Sequence, residues 1–201
     1  MHIQAAVIYG HVTFDDRGYG VVVPPTFWNS SATAAHYPFN LDTAHTALQN
    51  MATEKLGYTQ LFLSVTMAGR LYKPHKHPGM LEKNDAIKDP LFVSIALACK
   101  SDDYTWGYHN TTPMGAYYHS WKRRRTLTYD DEDSFREKLC KGKRLIPNVT
   151  YGLAAYDADL DDRSNACGQG AYARLRFLKK LLHFFNEKFR EASDYEGCLQ
   201  V

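Results

Sequence analysis

Residues 151–168 read Tyr-Gly-Leu-Ala-Ala-Tyr-Asp-Ala-Asp-Leu-Asp-Asp-Arg-Ser-Asn-Ala-Cys-Gly, and the reading of this stretch decides the fold. An apolar run from Leu153 to Tyr156 stops at Asp157, Asp159, Asp161 and Asp162, with Cys167 close behind. Three readings compete: a strand whose C-terminal end carries chemistry, a calcium loop, or a solvated turn. A helix–loop–helix calcium loop starting at Asp157 needs glycine at its sixth position and glutamate at its twelfth. The chain has Asp162 and Gly168 there. The carboxylates therefore read as acids at a strand end, near the N-terminus of a following helix where negative charge is favourable. No metal and no cofactor are expected.

The segments on the N-terminal side repeat the same kind of strand. Ile3–Tyr9 is a short buried-strand run broken at Gly10, followed by a loop through Gly18, Gly20, Pro24 and Pro25. Asn40 is placed to cap a helix whose apolar residues Leu41, Ala44, Leu48, Met51, Ala52 and Leu56 recur at helical spacing, with Gly57 ending it. Leu61–Met67 is a second apolar strand. A strand–helix–strand order of this kind favours a parallel pair joined by a crossover. Residues 71–130 differ: Pro74, Pro78, Pro90 and Pro113, many tyrosines and short alternating runs such as Leu91–Leu97 suggest a small α+β insertion. Ser134–Lys141 reads as a short helix capped by Asp133. After the strand Thr150–Tyr156 comes a last helix with Ala171, Leu175, Leu178, Leu182, Phe185 and Phe189 on one face.

With 201 residues the chain is long enough to bury a sizeable core. Its 24 basic and 22 acidic residues nearly cancel, so no global field points to nucleic acid. Four cysteines, Cys99, Cys140, Cys167 and Cys198, lack the close pairs of a zinc site. Three glycosylation sequons begin at Asn29, Asn110 and Asn148. Three sequons with an even cysteine count point to a secreted, disulfide-bonded glycoprotein. Met1-His-Ile-Gln carries no basic leader and Ile3–Tyr9 is only strand-sized, so a signal peptide is expected upstream. No segment approaches the roughly 20 apolar residues of a membrane span, and no membrane partner is expected.

In order and spacing, these elements resemble the C-terminal part of a family-18 glycoside hydrolase, the chitinase and chitinase-like group. Val7-Ile8-Tyr9-Gly10 approximates the family's sixth-strand pattern M-x-Y-D, and Ser64–Arg70 its seventh-strand pattern G-x-P-x-Y-G-R. Tyr129-Asp130-Asp131-Glu132-Asp133-Ser134-Phe135-Arg136-Glu137-Lys138 matches the Y-D-D-x-x-S-x-x-x-K stretch that ends the family's insertion domain. Gly152–Asp162 approximates the eighth strand, with Tyr156 where tryptophan is usual, in a spelling similar to that of secreted chitinase-like proteins of ticks. The resemblance implies an α/β chain equivalent to strands six to eight of a TIM barrel. It also implies an α+β insertion between the last two barrel strands. Residues 1–70 would carry strands six and seven, 71–149 the insertion and a short helix, and 150–201 the last strand and helix.

Family-18 catalysis needs D-x-x-D-x-D-x-E on the fourth strand, with the glutamic acid protonating the glycosidic oxygen and the substrate's acetamido group acting as nucleophile. Placing that motif at Asp157 puts Asp161 at the acid position, one methylene short. It also leaves only 39 residues after Asp162 for four further strand–helix units, so the eighth-strand reading is favoured. The motif is absent elsewhere in the chain, Gly10 replaces the sixth-strand aspartate, and Ala68 replaces the seventh-strand tyrosine. No residue of this chain is assigned a catalytic role.

The resemblance implies Tyr9, Arg70 and Tyr156 as substrate-binding residues and a secreted, non-catalytic chitinase-like protein. Its expected partners are chitin or N-acetylglucosamine polymers, or a host protein. Two alternatives stay open: part of an active chitinase whose catalytic strand lies upstream, and an interaction glycoprotein using the barrel as scaffold. Cys99–Cys140 would staple the insertion and Cys167–Cys198 the last helix. Elsewhere, His75 and His77 read as loop histidines without a third ligand, and Lys122-Arg123-Arg124-Arg125 as a solvated face beside Asp130–Asp133. Trp106, Tyr108, Tyr117, Tyr118 and Trp121 are expected mostly in the insertion's core.

Overall fold

Two sheets of opposite character organise the described residues. The structure is a computed structural model that describes residues 3–13, 20–28, 37–54, 59–75, 85–109 and 115–201. Asn29, Asn110, His77, Gly18, Leu56 and Gly57 lie outside the described residues. The first sheet is parallel, with β1 (Ala5–Ile8) and β8 (Gly152–Tyr156) flanking β2 (Gln60–Thr66). β1 and β2 are joined across α1 (Leu41–Thr53), the crossover that their apolar runs predict. The second sheet is antiparallel and lies between β2 and β8 in the chain. It comprises β3 (Gly69–Pro74), β4 (Ile87–Val93), β5 (Thr105–His109), β6 (Gly115–Ser120) and β7 (Arg125–Tyr129), in the order β4-β3-β7-β6-β5. A one-turn helix, α2 (Ala96–Cys99), follows β4, so the run Leu91–Leu97 straddles a strand end and a helix start.

The main core lies between the parallel sheet and three helices: α1, α3 (Glu132–Leu145) and α4 (Ala173–Glu187). Leu41 and Leu48 of α1, Leu63 and Val65 of β2, Leu139 of α3 and Leu181 of α4 are all fully buried. Each such side chain contributes about 1.5–3 kcal/mol relative to remaining in water. The Asn40 side chain accepts from the Thr43 backbone N–H at 3.0 Å, the expected cap of α1. At α3 the cap is Asp131, which accepts from the Ser134 N–H at 2.9 Å, whereas Asp133 lies inside the helix and pairs with Arg136. Asp131 holds this role because it has extended backbone and a carboxylate three residues before a free N–H.

The face of α4 that enters the core is centred on Arg174, Phe177 and Leu181, with Leu178 and Phe185 beside them. Leu182 is only half-buried. Arg174 is an unexpected member: its Nε donates to Asp161 Oδ1 at 2.8 Å, and both side chains are almost fully buried. Its other nitrogens donate to the carbonyls of Met67 at 2.6 Å and Asp130 at 3.1 Å.

A second buried pair explains the Tyr129–Lys138 stretch. Asp130 lies at the end of β7, and Ser134 and Lys138 follow at successive helical turns on one face of α3. The Asp130 carboxylate accepts from Thr26 N–H (3.1 Å), Thr26 Oγ1 (2.6 Å) and Ser134 Oγ (3.0 Å), and pairs with the Lys138 ammonium. That ammonium also donates to the Thr26 carbonyl at 3.0 Å. Both charges are therefore satisfied where neither meets water.

The four cysteines form two disulfides, but with a connectivity different from the expected one. Cys99 joins Cys167, and Cys140 joins Cys198, with Cα atoms 5.0 and 5.8 Å apart. Cys140 faces the helix-layer core, where the short helix α5 (Tyr195–Cys198) brings Cys198. Cys99 ends α2 and meets the loop after β8, whose Cys167 N–H is held by Asp162 at 2.8 Å. Each link is worth about 2–4 kcal/mol.

Peptide mapping without reduction is expected to recover Cys99 joined to Cys167 and Cys140 joined to Cys198. Arg174→Leu leaves Asp161 as an unpaired buried charge and is expected to cost about 3–5 kcal/mol in urea denaturation. Lys180→Gln, on the exposed face of α4, is expected to change stability by less than about 0.5 kcal/mol.

Candidate functional site

Side chains alternate across a strand, so the parallel sheet's second face can be read from its register. Val7 pairs with Phe62, Ser64 with Ala154, and Thr66 with Tyr156. This face turns away from the helix core, and Tyr9 and Tyr156 stand at the C-terminal ends of β1 and β8. Tyr9, His11, Val12, Thr13, Phe39, Tyr156 and Asp157 line a cleft of about 290 Å³. The ring of Tyr9 lies 5.2 Å from Phe39 and 5.6 Å from Tyr156, and His11 lies 5.0 Å from Tyr156. The hydroxyls of Tyr9 and Tyr156 are 3.5 Å apart. That separation is long for an O–H···O bond, which leaves both hydroxyls available to a ligand.

The floor is fixed by hydroxyls of β2. Ser64 Oγ accepts from the Gly10 N–H at 3.0 Å and lies 2.7 Å from His11 Nδ1. Gly10 is needed here, because a Cβ at this position would fall 2.8 Å from the Leu63 side chain and 2.9 Å from the Ser64 carbonyl. Thr66 Oγ1 donates to Asp157 Oδ2 at 2.5 Å and accepts from the Ala68 N–H at 3.0 Å. Asp157 itself has left-handed backbone, φ 54°, a conformation aspartate tolerates better than bulkier residues.

The strand-end acids have separate structural partners. Asp157 is bound by Thr66, and Asp161 by Arg174. Asp162 accepts from the N–H groups of Cys167 and Ala166 and from Ser164. Burial opposes ionisation of Asp162, but these donors outweigh it and hold its carboxyl below the usual range. Among the described residues no three His, Cys, Asp or Glu side chains converge on a point where they could hold a metal ion. The cleft thus combines aromatic faces and hydroxyls with one committed carboxylate, an arrangement suited to binding a neutral polar ligand such as a sugar.

Tyr9 and Tyr156 come together as the strand ends require. Arg70 does not join them: it is 1% exposed, donates to Tyr37 Oη at 2.7 Å and the Val23 carbonyl at 3.3 Å, and lies over the Tyr37 and Tyr72 rings. Its place is beneath the 20–28 segment rather than in the cleft lining. Asn148 is exposed in the turn after α3. Nearby, a larger cleft of about 440 Å³ includes Lys143, Asn148 and Phe189. The Lys143 ammonium is occupied there by the carbonyls of Pro147 and Val149. His11 and Phe39 were not singled out from sequence. For His11 the available signal was its position two residues beyond Tyr9, on the same side of an extended chain.

Of the expected aromatic core, Tyr118 stacks on Tyr129 at 5.7 Å, while Trp106 and Trp121 are more than half exposed. Among the described residues no helix is long and apolar enough to cross a membrane.

Burial pushes the His11 imidazole down to about 4, against the charges of Asp157 and Asp130 and the Ser64 contact, which favour the charged form. Above pH 6.5 the imidazole is neutral in both folded and unfolded chains. Below it the unfolded chain binds the extra proton first, so His11 is expected to reduce stability progressively between pH 6.5 and about 4. The slope approaches about 1.4 kcal/mol per pH unit. Urea denaturation across this range is expected to show that loss, and His11→Gln is expected to flatten it.

No family model matches the sequence, and no curated protein matches it. Solved structures do match. A Group IV chitinase from Ostrinia furnacalis superposes with a TM-score of 0.64 at 14% identity, over 90% of this chain and 50% of that one. Human YKL-39, described as a pseudo-chitinase with retained chitooligosaccharide binding, gives 0.58 at 15% identity, over 86% and 50%. The immunomodulatory active chitinase TsES1 of Trichuris suis gives 0.57 at 12% identity, over 81% and 45%. The chain spans about half the length of these solved proteins. Its fold is that of family-18 chitinases and chitinase-like proteins over about half of their chain.

Proposed function

We infer that the chain is the C-terminal part of a secreted chitinase-like protein. In this reading β1, β2 and β8 are strands six to eight of a TIM barrel, 1–70 and 150–201 form the barrel part, and 71–149 the insertion and a short helix. Three strands leave β1 and β8 at open edges, and in a closed barrel both edges would be paired. The two disulfides fit an oxidising, extracellular setting, and the exposed Asn148 is the glycosylation site available among the described residues.

We further infer that the cleft at the strand ends binds chitin or N-acetylglucosamine oligomers without hydrolysing them. The observation that carries this reading is the convergence of Tyr9, Phe39, His11 and Tyr156 at the C-terminal ends of parallel strands, where such folds place their ligands. The match to a pseudo-chitinase with retained oligosaccharide binding supports it. Gly10 in place of the sixth-strand aspartate and Ala68 in place of the seventh-strand tyrosine support the non-catalytic half of the reading.

The test is retention on chitin beads, with soluble sugar released as a second readout. The chain is expected to be retained without releasing sugar. Tyr9→Ala and Tyr156→Ala are each expected to weaken binding about tenfold, or about 1.4 kcal/mol. Unchanged retention in both variants would remove the cleft as a sugar site and favour a scaffold for protein partners. An intact D-x-x-D-x-D-x-E in sequence upstream would overturn the non-catalytic reading.

A further inference from the structure

A basic groove lies on the antiparallel sheet. Lys73, Pro74 and His75 from β3 and its end, Lys88 from β4, and Lys122, Arg123 and Arg124 from the β6–β7 turn line a cleft of about 370 Å³. Lys73 and Lys88 are directly opposed in the β3–β4 register, a placement that costs stability because like charges face each other. Arg124 has left-handed backbone, φ 52°, which is also unfavourable for a long side chain. Two carboxylates moderate the cluster. Asp103 binds Lys122 at 2.8 Å and Arg123 at 2.9 Å, and Asp89 lies 3.3 Å from Lys73. Among the described residues Lys88 and Arg124 have no acidic partner, so five full positive charges face two negative ones. The chain as a whole carries only +2, so the positive field is concentrated in this groove.

We propose that this groove binds a linear sulfated polysaccharide. The cations come from two strands and a turn and stand open to solvent, which fits a chain of repeated anionic groups better than one enclosed anion. Single-stranded nucleic acid is less well matched, because the lining contains no Phe, Tyr or Trp on which successive bases could stack. The choice of a sulfated glycan over an intracellular polyanion rests on the extracellular reading of the disulfides. The groove is built from residues other than those of the Tyr9–Tyr156 cleft, so the two sites are separable.

The test is elution of the full chain from immobilised heparin in a sodium chloride gradient, with chitin-bead retention measured on the same samples. The chain is expected to be retained. Lys88→Gln/Arg124→Gln is expected to lower affinity about tenfold and to reduce the salt slope by about two, one for each cation removed. Chitin retention should not change. Lys179→Gln/Lys180→Gln on α4 controls for net charge and should elute close to the unmodified chain. Equal losses in the two double variants would overturn the groove as the site. Binding to single-stranded DNA or to anionic phosphatidylserine vesicles as tight as to heparin would overturn the assignment to sulfated polysaccharide. Loss of chitin retention with heparin retention intact would count against the cleft reading alone.

Discussion

The Arg174–Asp161 pair is the constraint on which the rest of the architecture depends. One guanidinium links four places that are far apart in sequence: its own helix, the loop after β8, the Met67 carbonyl after β2, and the Asp130 carbonyl after β7. These are the junctions where the parallel sheet gives way to the antiparallel one and where the chain leaves it again. A planar group with fixed donor directions suits this task, because several acceptors can be satisfied only in one relative placement. Hydrophobic packing alone would hold α4 against the sheet but would not fix how far it slides.

The Asp130–Lys138 pair complements it from the other side of the same carbonyl. Asp130 uses its carboxylate on Thr26, Ser134 and Lys138 while its backbone oxygen serves Arg174. The 20–28 segment, α3 and α4 are therefore connected through one residue. The candidate cleft lies near this connected frame, and its own polar groups are held by Ser64 and Thr66, which are completely buried. The cleft walls are aromatic, whereas the acids close to it maintain geometry.

Much of this was legible in the sequence because it depended on local signals. The apolar runs at Ile3–Tyr9, Leu61–Met67 and Thr150–Tyr156 are strands because each is short, continuous and bounded by a breaker, and the crossover helix begins where Asn40 caps it. The features that were not legible depend on partners distant in sequence. No pattern in the α4 sequence ties Arg174 to Asp161, because the two meet only once the helix packs against the loop after β8. The cysteine connectivity followed which faces meet in space rather than which cysteines are adjacent. Arg70 has a family-like position in sequence, yet its two terminal nitrogens are committed to Val23 and Tyr37. Asp131 rather than Asp133 caps α3 because its backbone is extended and its carboxylate reaches the free Ser134 N–H, whereas Asp133 already lies within the first turn.

The disulfide connectivity also determines how the chain responds to cleavage. The two links overlap: the span closed by Cys99–Cys167 contains Cys140, and the span closed by Cys140–Cys198 contains Cys167. Any single peptide bond cut between Cys99 and Cys198 falls inside at least one closed span. The two pieces of a once-nicked chain therefore remain one covalent molecule. Between Cys140 and Cys167 both links bridge the cut, and that interval contains β8 and the strand-end acids. The segment that organises the candidate cleft is thus the part of the chain best protected against being lost after proteolysis.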